Sequence, residues 1–309
     1  MYDISPTETP FLSMCGRAKA TATKHEWQTD ALAAAAANAQ IEGDDAAGGT
    51  STPSVRYANY CQIASKYAVV TDTQMAVNSA GRNNEMAYQI SKRLGELKRD
   101  MEFRLTQNGA STAGSASSAR TLGALETWLW NTTGAATAGN SKVATAASGE
   151  GTTPSYASGV TSAPTDSSST TAFVVADLKT VIKNCWVSGG NPQVIMMGAT
   201  NKQTASVFAG IATLYREADT TAKGTKIIGA ADWYVSDFGN HRIVPNRFQR
   251  AGPVFVLDMD YWKVAYLRPV KQKEIARTGA STKRFIDVEY TLVAANPLSS
   301  GKISDTGAT

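Results

Sequence analysis

Six apolar residues, Met86, Ile90, Leu94, Leu97, Met101 and Leu105, follow one another at spacings of 4, 4, 3, 4 and 4. That period belongs to an α-helix with a single buried stripe. Asn83 or Asn84 supplies the N-cap and Asn108-Gly109 the stop, which sets the helix at about 84–108. At about 1.5 Å per residue it is roughly 36 Å long, well beyond the usual dozen residues. A stripe that narrow covers one side only, so the fold must offer the helix one layer to lie on. The opposite side carries Lys98/Glu102 and Asp100/Arg104, spaced to pair across one turn of an outer face.

The residues ahead of this helix cannot build a core of their own. Met1 to about Arg17 contains Ser5-Pro6-Thr7-Glu8-Thr9-Pro10 and then Phe11-Leu12; the paired prolines disfavour helix and predict an extended arm with a small apolar anchor. Two runs, Thr21–Asp30 and Val55–Thr73, have the mixed alternation of strands and together predict a long hairpin. Between them lie five consecutive alanines, Ala33–Ala37, and the turn residues Gly43-Asp44-Asp45 and Gly48-Gly49. A two-stranded ribbon with so little to bury is not stable alone, so it is expected to dock on another chain. Its aromatic residues Trp27, Tyr57 and Tyr60 are the natural anchors of that contact, with His25 and Arg56 beside them and Phe11 and Leu12 contributing from the arm.

Beyond the helix, Gly109 to Thr171 is rich in Ala, Ser, Thr and Gly and is read as surface loops around one packed segment, Leu122 to Trp130, with a disordered linker as the competing reading. A mixed region follows. Leu178, Val181, Ile182 and Cys185 mark a helix stopped by Gly189-Gly190; Val194–Met197 is a fully apolar strand; Thr200 caps a second helix reaching Val207 and Phe208. Trp233–Ser236 and His241–Val244 flank Phe238-Gly239-Asn240 as a hairpin, Pro253–Leu257 is a strand, and Phe285–Val293 alternates like a half-buried one.

Chemistry is hard to find. The 309 residues hold two histidines, His25 and His241, and no HExxH, HxxxH, GxSxG, GxxxxGK[ST] or strand-linked GxGxxG pattern. Gly43-Asp44-Asp45 reads as a solvated turn rather than a metal site, and Asp258 and Asp260 as turn formers. No catalytic, cofactor or metal residue is assigned. Cys15, Cys61 and Cys185 form no CxxC pair and read as reduced thiols. The charge of +4 comes from interspersed residues, and Arg82, Lys92, Arg93, Lys98, Arg99 and Arg104 share their helix with acids, so any DNA contact is non-specific. The opening residues lack a signal-peptide order and no apolar run reaches the ~20 residues of a membrane helix, so a soluble product made in the cytoplasm is expected.

Four stretches together resemble the major head proteins of tailed bacteriophages with the HK97-like fold: Ile4–Phe11, Lys24–Asp30, Ile243–Phe248 and Asp260–Pro269, with Glu289-Tyr290-Thr291-Leu292 after them. The resemblance implies an α+β chain: an N-terminal arm (1–20), an extended hairpin or E-loop (21–74), a peripheral domain with a spine helix (75–125), an axial α/β domain (126–267) and a return to the peripheral domain (268–309). It implies a structural subunit that self-assembles into pentamers and hexamers of an icosahedral head around double-stranded DNA, with the portal and cement or scaffolding proteins as further partners and the virion as its location. Two other classes stand beside it: a phage-encoded hydrolase, which requires a Ser–His pair in a cleft, and an adhesin or tail-fibre-like module, against which the absence of repeats argues.

Overall fold

The computed structural model describes residues 8–30, 32–33, 35–43, 54–77, 84–129, 161, 163–164, 172–208, 232–304 and 306. The chain runs α1 (Pro10–Met14), β1 (Gly16–Lys19), β2 (Lys24–Thr29), β3 (Val55–Tyr60), β4 (Gln62–Thr71), α2 (Asp72–Ala76), α3 (Glu85–Thr106) and α4 (Leu125–Trp128). It continues with α5 (Val175–Val187), β5 (Val194–Met197), α6 (Ala199–Val207), β6 (Trp233–Ser236), β7 (Gly239–Pro245), β8 (Val254–Leu257), β9 (Trp262–Ile275), β10 (Ser281–Ala294) and β11 (Gly301–Ile303). The strands form a four-stranded sheet ordered β1-β9-β10-β4, a five-stranded sheet ordered β11-β8-β5-β7-β6, and the separate ribbon β2-β3.

The spine helix is α3, capped by the Asn84 side chain, which accepts from Ala87 N. Its stripe is buried by degrees: Leu97, Met101 and Leu105 are enclosed, whereas Met86, Ile90 and Leu94 are half-buried, so the helix outruns the layer beneath it. The two expected outer-face pairs do not form as such. Glu102 is fully buried and faces α1, Arg104 turns inward to Gln62 and to the carbonyls of Ala110 and Leu122, and Asp100 pairs with Lys66 of β4 at 2.6 Å.

The N-terminal segment differs from the extended arm expected. Pro10 occupies the first position of α1, where proline has no N–H to lose and its fixed φ suits a helix. The chain then joins the body as β1, parallel to β9. The hairpin is also shorter than expected: β2 pairs with β3 alone, from Lys24↔Tyr60 to Thr29↔Val55. Cys61 ends the ribbon, and β4 leaves it to pair with β10 over ten residues, from Gln62↔Tyr290 to Thr71↔Ser281. Burial pushes the Cys61 thiol up to about 11 and the Cys15 and Cys185 thiols up as well, which keeps all three protonated and inert.

The five-stranded sheet explains its fully apolar strands, because both its faces are covered. On β5, Val194 and Met196 join the core that contains α3, α4, β9 and β10, while Ile195 and Met197 join the core beneath α5. On β8, Phe255 and Leu257 face the first core and Val254 and Val256 the second. Helix α5 stops at Gly189, whose φ of +82° favours glycine. Helix α6 starts two residues earlier than expected, with Gly198 as N-cap and Thr200 inside it, and the β6–β7 turn closes between Ser236 and Gly239.

Two further corrections concern the last third. Strand β10 is buried on both faces from Ile286 onward rather than half-buried, because Asp287 and Glu289 are covered by arginine and lysine side chains. The chain end does not stay with the first sheet: β11 pairs with β8 in the five-stranded one, and α4 lies in the core where α3, β9 and β10 meet one face of that five-stranded sheet.

Gly190 marks where these parts close together. A Cβ there would lie 2.6 Å from Ser299 Cα and within the same residue's carbonyl group, all backbone. Gly190→Ala is therefore expected to cost about 1–3 kcal/mol by overpacking, read as a lowered urea midpoint with an unchanged m-value.

Candidate assembly surface

The hairpin root is fixed by one buried amide and three indole and phenol rings. Asn59, fully enclosed, donates from Nδ2 to Gly123 O (3.1 Å) and Leu292 O (2.8 Å), and its Oδ1 accepts from Gly123 N (2.8 Å), Ser111 Oγ (3.1 Å) and Tyr60 N (2.9 Å). That uses the amide's capacity and ties β3 to β10 and to the loop before α4. Nothing in the run Arg56–Ile63 set this asparagine apart except that a polar residue interrupts aromatic and β-branched neighbours.

On the same ribbon face, Trp27 lies 5.5 Å from Trp128 and 6.4 Å from Tyr57, and Tyr57 lies 6.4 Å from Trp128. The Trp27 Nε1–H donates to Ala294 O at 3.0 Å. Trp27 and Tyr57, two of the three aromatic residues expected to meet another chain, thus meet a partner on their own, because α4 supplies a buried tryptophan at the point where the ribbon leaves the body. His25 sits 5.8 Å from the Trp27 ring, and burial lowers its pKa. Phe11 is also spent internally: it is fully enclosed and meets Trp262 edge-on at 6.4 Å. Leu12 is half-buried beside it.

The other face of the ribbon stays open. Glu26 pairs with Lys24 at 3.1 Å and with Arg56 at 3.5 Å, both in contact with solvent and worth little alone. Tyr60 is half-buried across from Lys24. Beyond the root, residues 32–33 and 35–43 are exposed throughout, with Leu32 at 98% and Ile41 at 78%.

Two more surfaces carry apolar side chains in water. Strand β4 is an edge of its sheet and presents Ile63, Tyr67 and Val69 outward, with Tyr67 packed on Phe285 at 5.0 Å. Beside this strip, Arg268 binds Glu289 (2.8 Å) and Asp287 (2.7 Å), Lys273 binds Asp287 (3.2 Å), and Arg120 binds Glu289. At the far end of the five-stranded sheet, edge strand β6 exposes Trp233 and Val235, and Trp186 packs on Phe238 at 5.2 Å while remaining more than half exposed. An edge strand with outward apolar residues is a template for association.

Catalytic alternatives find one pair to weigh. Ser236 Oγ lies 2.6 Å from His241 Nε2, and His241 Nδ1 lies 2.7 Å from Pro192 O. The serine oxygen also accepts from Phe238 N and lies 3.2 Å from Gly239 O, so it closes the β6–β7 turn, and a carbonyl stands where a hydrolase triad has its carboxylate. Asp258 behaves as expected of a turn former: it caps a short 3₁₀ helix and accepts from Asn191 N and Asp260 N. Among the described residues no cluster of three or more His, Cys, Asp or Glu is placed to hold a metal, and no helix is long and apolar enough to cross a membrane. Asp44, Asp45, Arg82 and most of the Ser/Thr-rich insert lie outside the described residues.

Comparison with known proteins turns this arrangement of surfaces into an identification. The model of the family described as SU10 major capsid protein matches residues 1–307. The major capsid protein of Escherichia phage Phieco32 is 29% identical over 325 aligned positions, covering 96% of this chain and 90% of that protein. Among solved structures, the Cyanophage A-1(L) capsid asymmetric unit superposes with a TM-score of 0.66 at 12% identity, covering 99% of this chain and 95% of that one. The capsid of a native GTA particle computed with C5 symmetry superposes at 0.60 with 8% identity, covering 99% and 93%. The chain belongs to the SU10 major capsid protein family: it is a phage major capsid protein with the HK97-like fold, and its place is the capsid of the virion.

Proposed function

We propose that copies of this chain close into pentamers and hexamers that tile an icosahedral head around double-stranded DNA, with the β2–β3 hairpin overlapping a neighbouring copy. The observation that carries this reading is the contrast along the hairpin: a root locked into its own chain by Asn59, Trp27 and Tyr57, and a distal part whose Leu32 and Ile41 face water. A ribbon held at one end and apolar at the other gains stability when a second copy covers it. The exposed faces of Lys24, Glu26, Arg56 and Tyr60 supply the polar rim of such a contact, and many modest contacts of this kind sum through avidity. The C5 symmetry of the GTA particle's capsid is in keeping with pentamers at the vertices.

Contact with packaged DNA is non-specific in this reading. Of the helix cations considered for it, Lys92 and Lys98 are exposed, whereas Arg93 pairs with Glu96, Arg99 lies over the Phe248 ring and Arg104 points inward. Portal and cement or scaffolding proteins complete the set of partners, and synthesis takes place in the host cytoplasm.

The test shortens the hairpin, replacing residues 30–54 by Asn-Gly so that Thr29 leads through the new turn into Val55. The shortened chain is expected to unfold at the midpoint of the full chain, since the root is untouched, and to sediment as a small species without shells in negative-stain images. Shells of normal size from the shortened chain would overturn the hairpin's role.

A further inference from the structure

Glu102 stands at the meeting point of three parts of the molecule and is fully buried. Its Oε1 accepts from Phe11 N at 2.9 Å and from Asn246 Nδ2 at 2.6 Å, and its Oε2 accepts from Leu12 N at 2.8 Å. The first and last donors are free N–H groups of the opening turn of α1, which no residue within that short helix can satisfy. Asn246 follows β7, and its own N–H bonds to Met197 O of β5. One carboxyl group on the spine helix therefore holds the N-terminal segment and the five-stranded sheet together.

The rest of the segment's hold is apolar packing and one short ladder: Cys15 is buried in the core and Leu12 and Met14 lie half-buried against it. Phe11 plugs a seat against Trp262, and β1 adds four residues of parallel pairing at the edge of a sheet, the weaker kind of ladder. Ser13, Gly16, Arg17 and Lys19 are exposed. We propose that Glu102 is the latch of the N-terminal segment: losing it undocks residues 8–19, β1 included, as a unit while β9, β10, β4 and the five-stranded sheet stay folded, and bares the seat of Phe11. A segment so released is free to exchange with that of a second copy, a consequence that rests on the assembly reading above, whereas the latch itself does not.

Glu102→Leu in the full, unassembled chain leaves three donors without their acceptor, and hydrogen exchange followed by mass spectrometry reads the result. Amides of Leu12 to Lys19 are expected to exchange about tenfold faster or more, with those of Leu97–Leu105 and Val288–Val293 unchanged, because local opening is independent of global unfolding. Asn246→Ala, which keeps the carboxyl and its two bonds to α1, is expected to give a smaller increase in the same amides, and it serves where the leucine variant does not fold. Unchanged protection of Leu12–Lys19 in both variants, or equal loss in α3 and β10, would sink the proposal. Since the measurement is made before assembly, failure of the hairpin reading leaves it intact.

Discussion

Replacing Trp128 by Ala is expected to cost about 3–5 kcal/mol, the range for deleting a buried aromatic side chain. The indole is 1% exposed, donates from Nε1 to Gly123 O at 3.3 Å, and is the floor on which Trp27 and Tyr57 stand. Its loss opens a cavity in the core shared by α3 and β10 and removes the ribbon's aromatic support at the same time. The consequence reaches further than stability. With Trp128 gone, the ribbon keeps the Asn59 amide and the Trp27 bond to Ala294 O, so it stays tethered but loses its fixed direction. In the assembly proposed above, a subunit whose hairpin points many ways does not close a shell of one geometry. A urea titration should show the lowered midpoint, and the same preparation should give few or irregular shells in micrographs. Trp27→Ala, at a half-buried site, should cost less in the titration and as much in the micrographs. A midpoint within error of the parent for Trp128→Ala would mean that the aromatic cluster carries no weight.

What could be read from the sequence follows the range of the interactions. Helix α3, the strands β5 and β8 and the stop at Gly189 all rest on local periodicity, and each stands where spacing put it. Partner choice does not rest on spacing. Strand β4 follows β3 directly, so a local rule gives it to the hairpin, but its ladder lies with β10 more than two hundred residues away. Glu102 illustrates the same limit on a helix. It lies one residue after Met101, on the margin of the stripe, and spacing cannot tell which margin another element will cover. Here α1 covers it, and a residue that looked like half of a surface pair became a buried anchor.

The resemblance to phage head proteins was legible for a different reason. Where the quoted stretches are described, their residues meet in space: Phe11 packs on Trp262, Phe11 N and Asn246 Nδ2 share Glu102, and Trp27 reaches the end of β10. They are scattered along the chain and gathered at the junctions between its parts. A residue at such a junction answers to two or three elements at once, so fewer side chains satisfy it than satisfy a position in a loop that meets only solvent.

Glu126 is the second such junction and the site of the other large effect. It lies in α4 at 1% exposure and meets Arg250 through Nε (3.1 Å) and Nη2 (2.5 Å), a bidentate pair. Lys302 of β11, fully enclosed, brings its Nζ to 3.6 Å of the same carboxylate. Three segments far apart in sequence thus share one buried negative charge. Glu126→Leu removes the charge and leaves Lys302 enclosed and Arg250 half-buried without their carboxylate, which is expected to cost about 3–5 kcal/mol. The direction reverses if the cations go too. The triple change Glu126→Leu, Arg250→Leu and Lys302→Met keeps the site apolar and removes every charge that needs compensation, so it should recover most of the loss, because burying ions costs nearly what their attraction returns. Urea midpoints of the single and triple variants measured side by side decide the matter. A single variant as stable as the parent would show that Glu126 neutralises nothing of consequence, and a triple variant no better than the single would show that the ions contribute a net attraction apolar packing cannot replace.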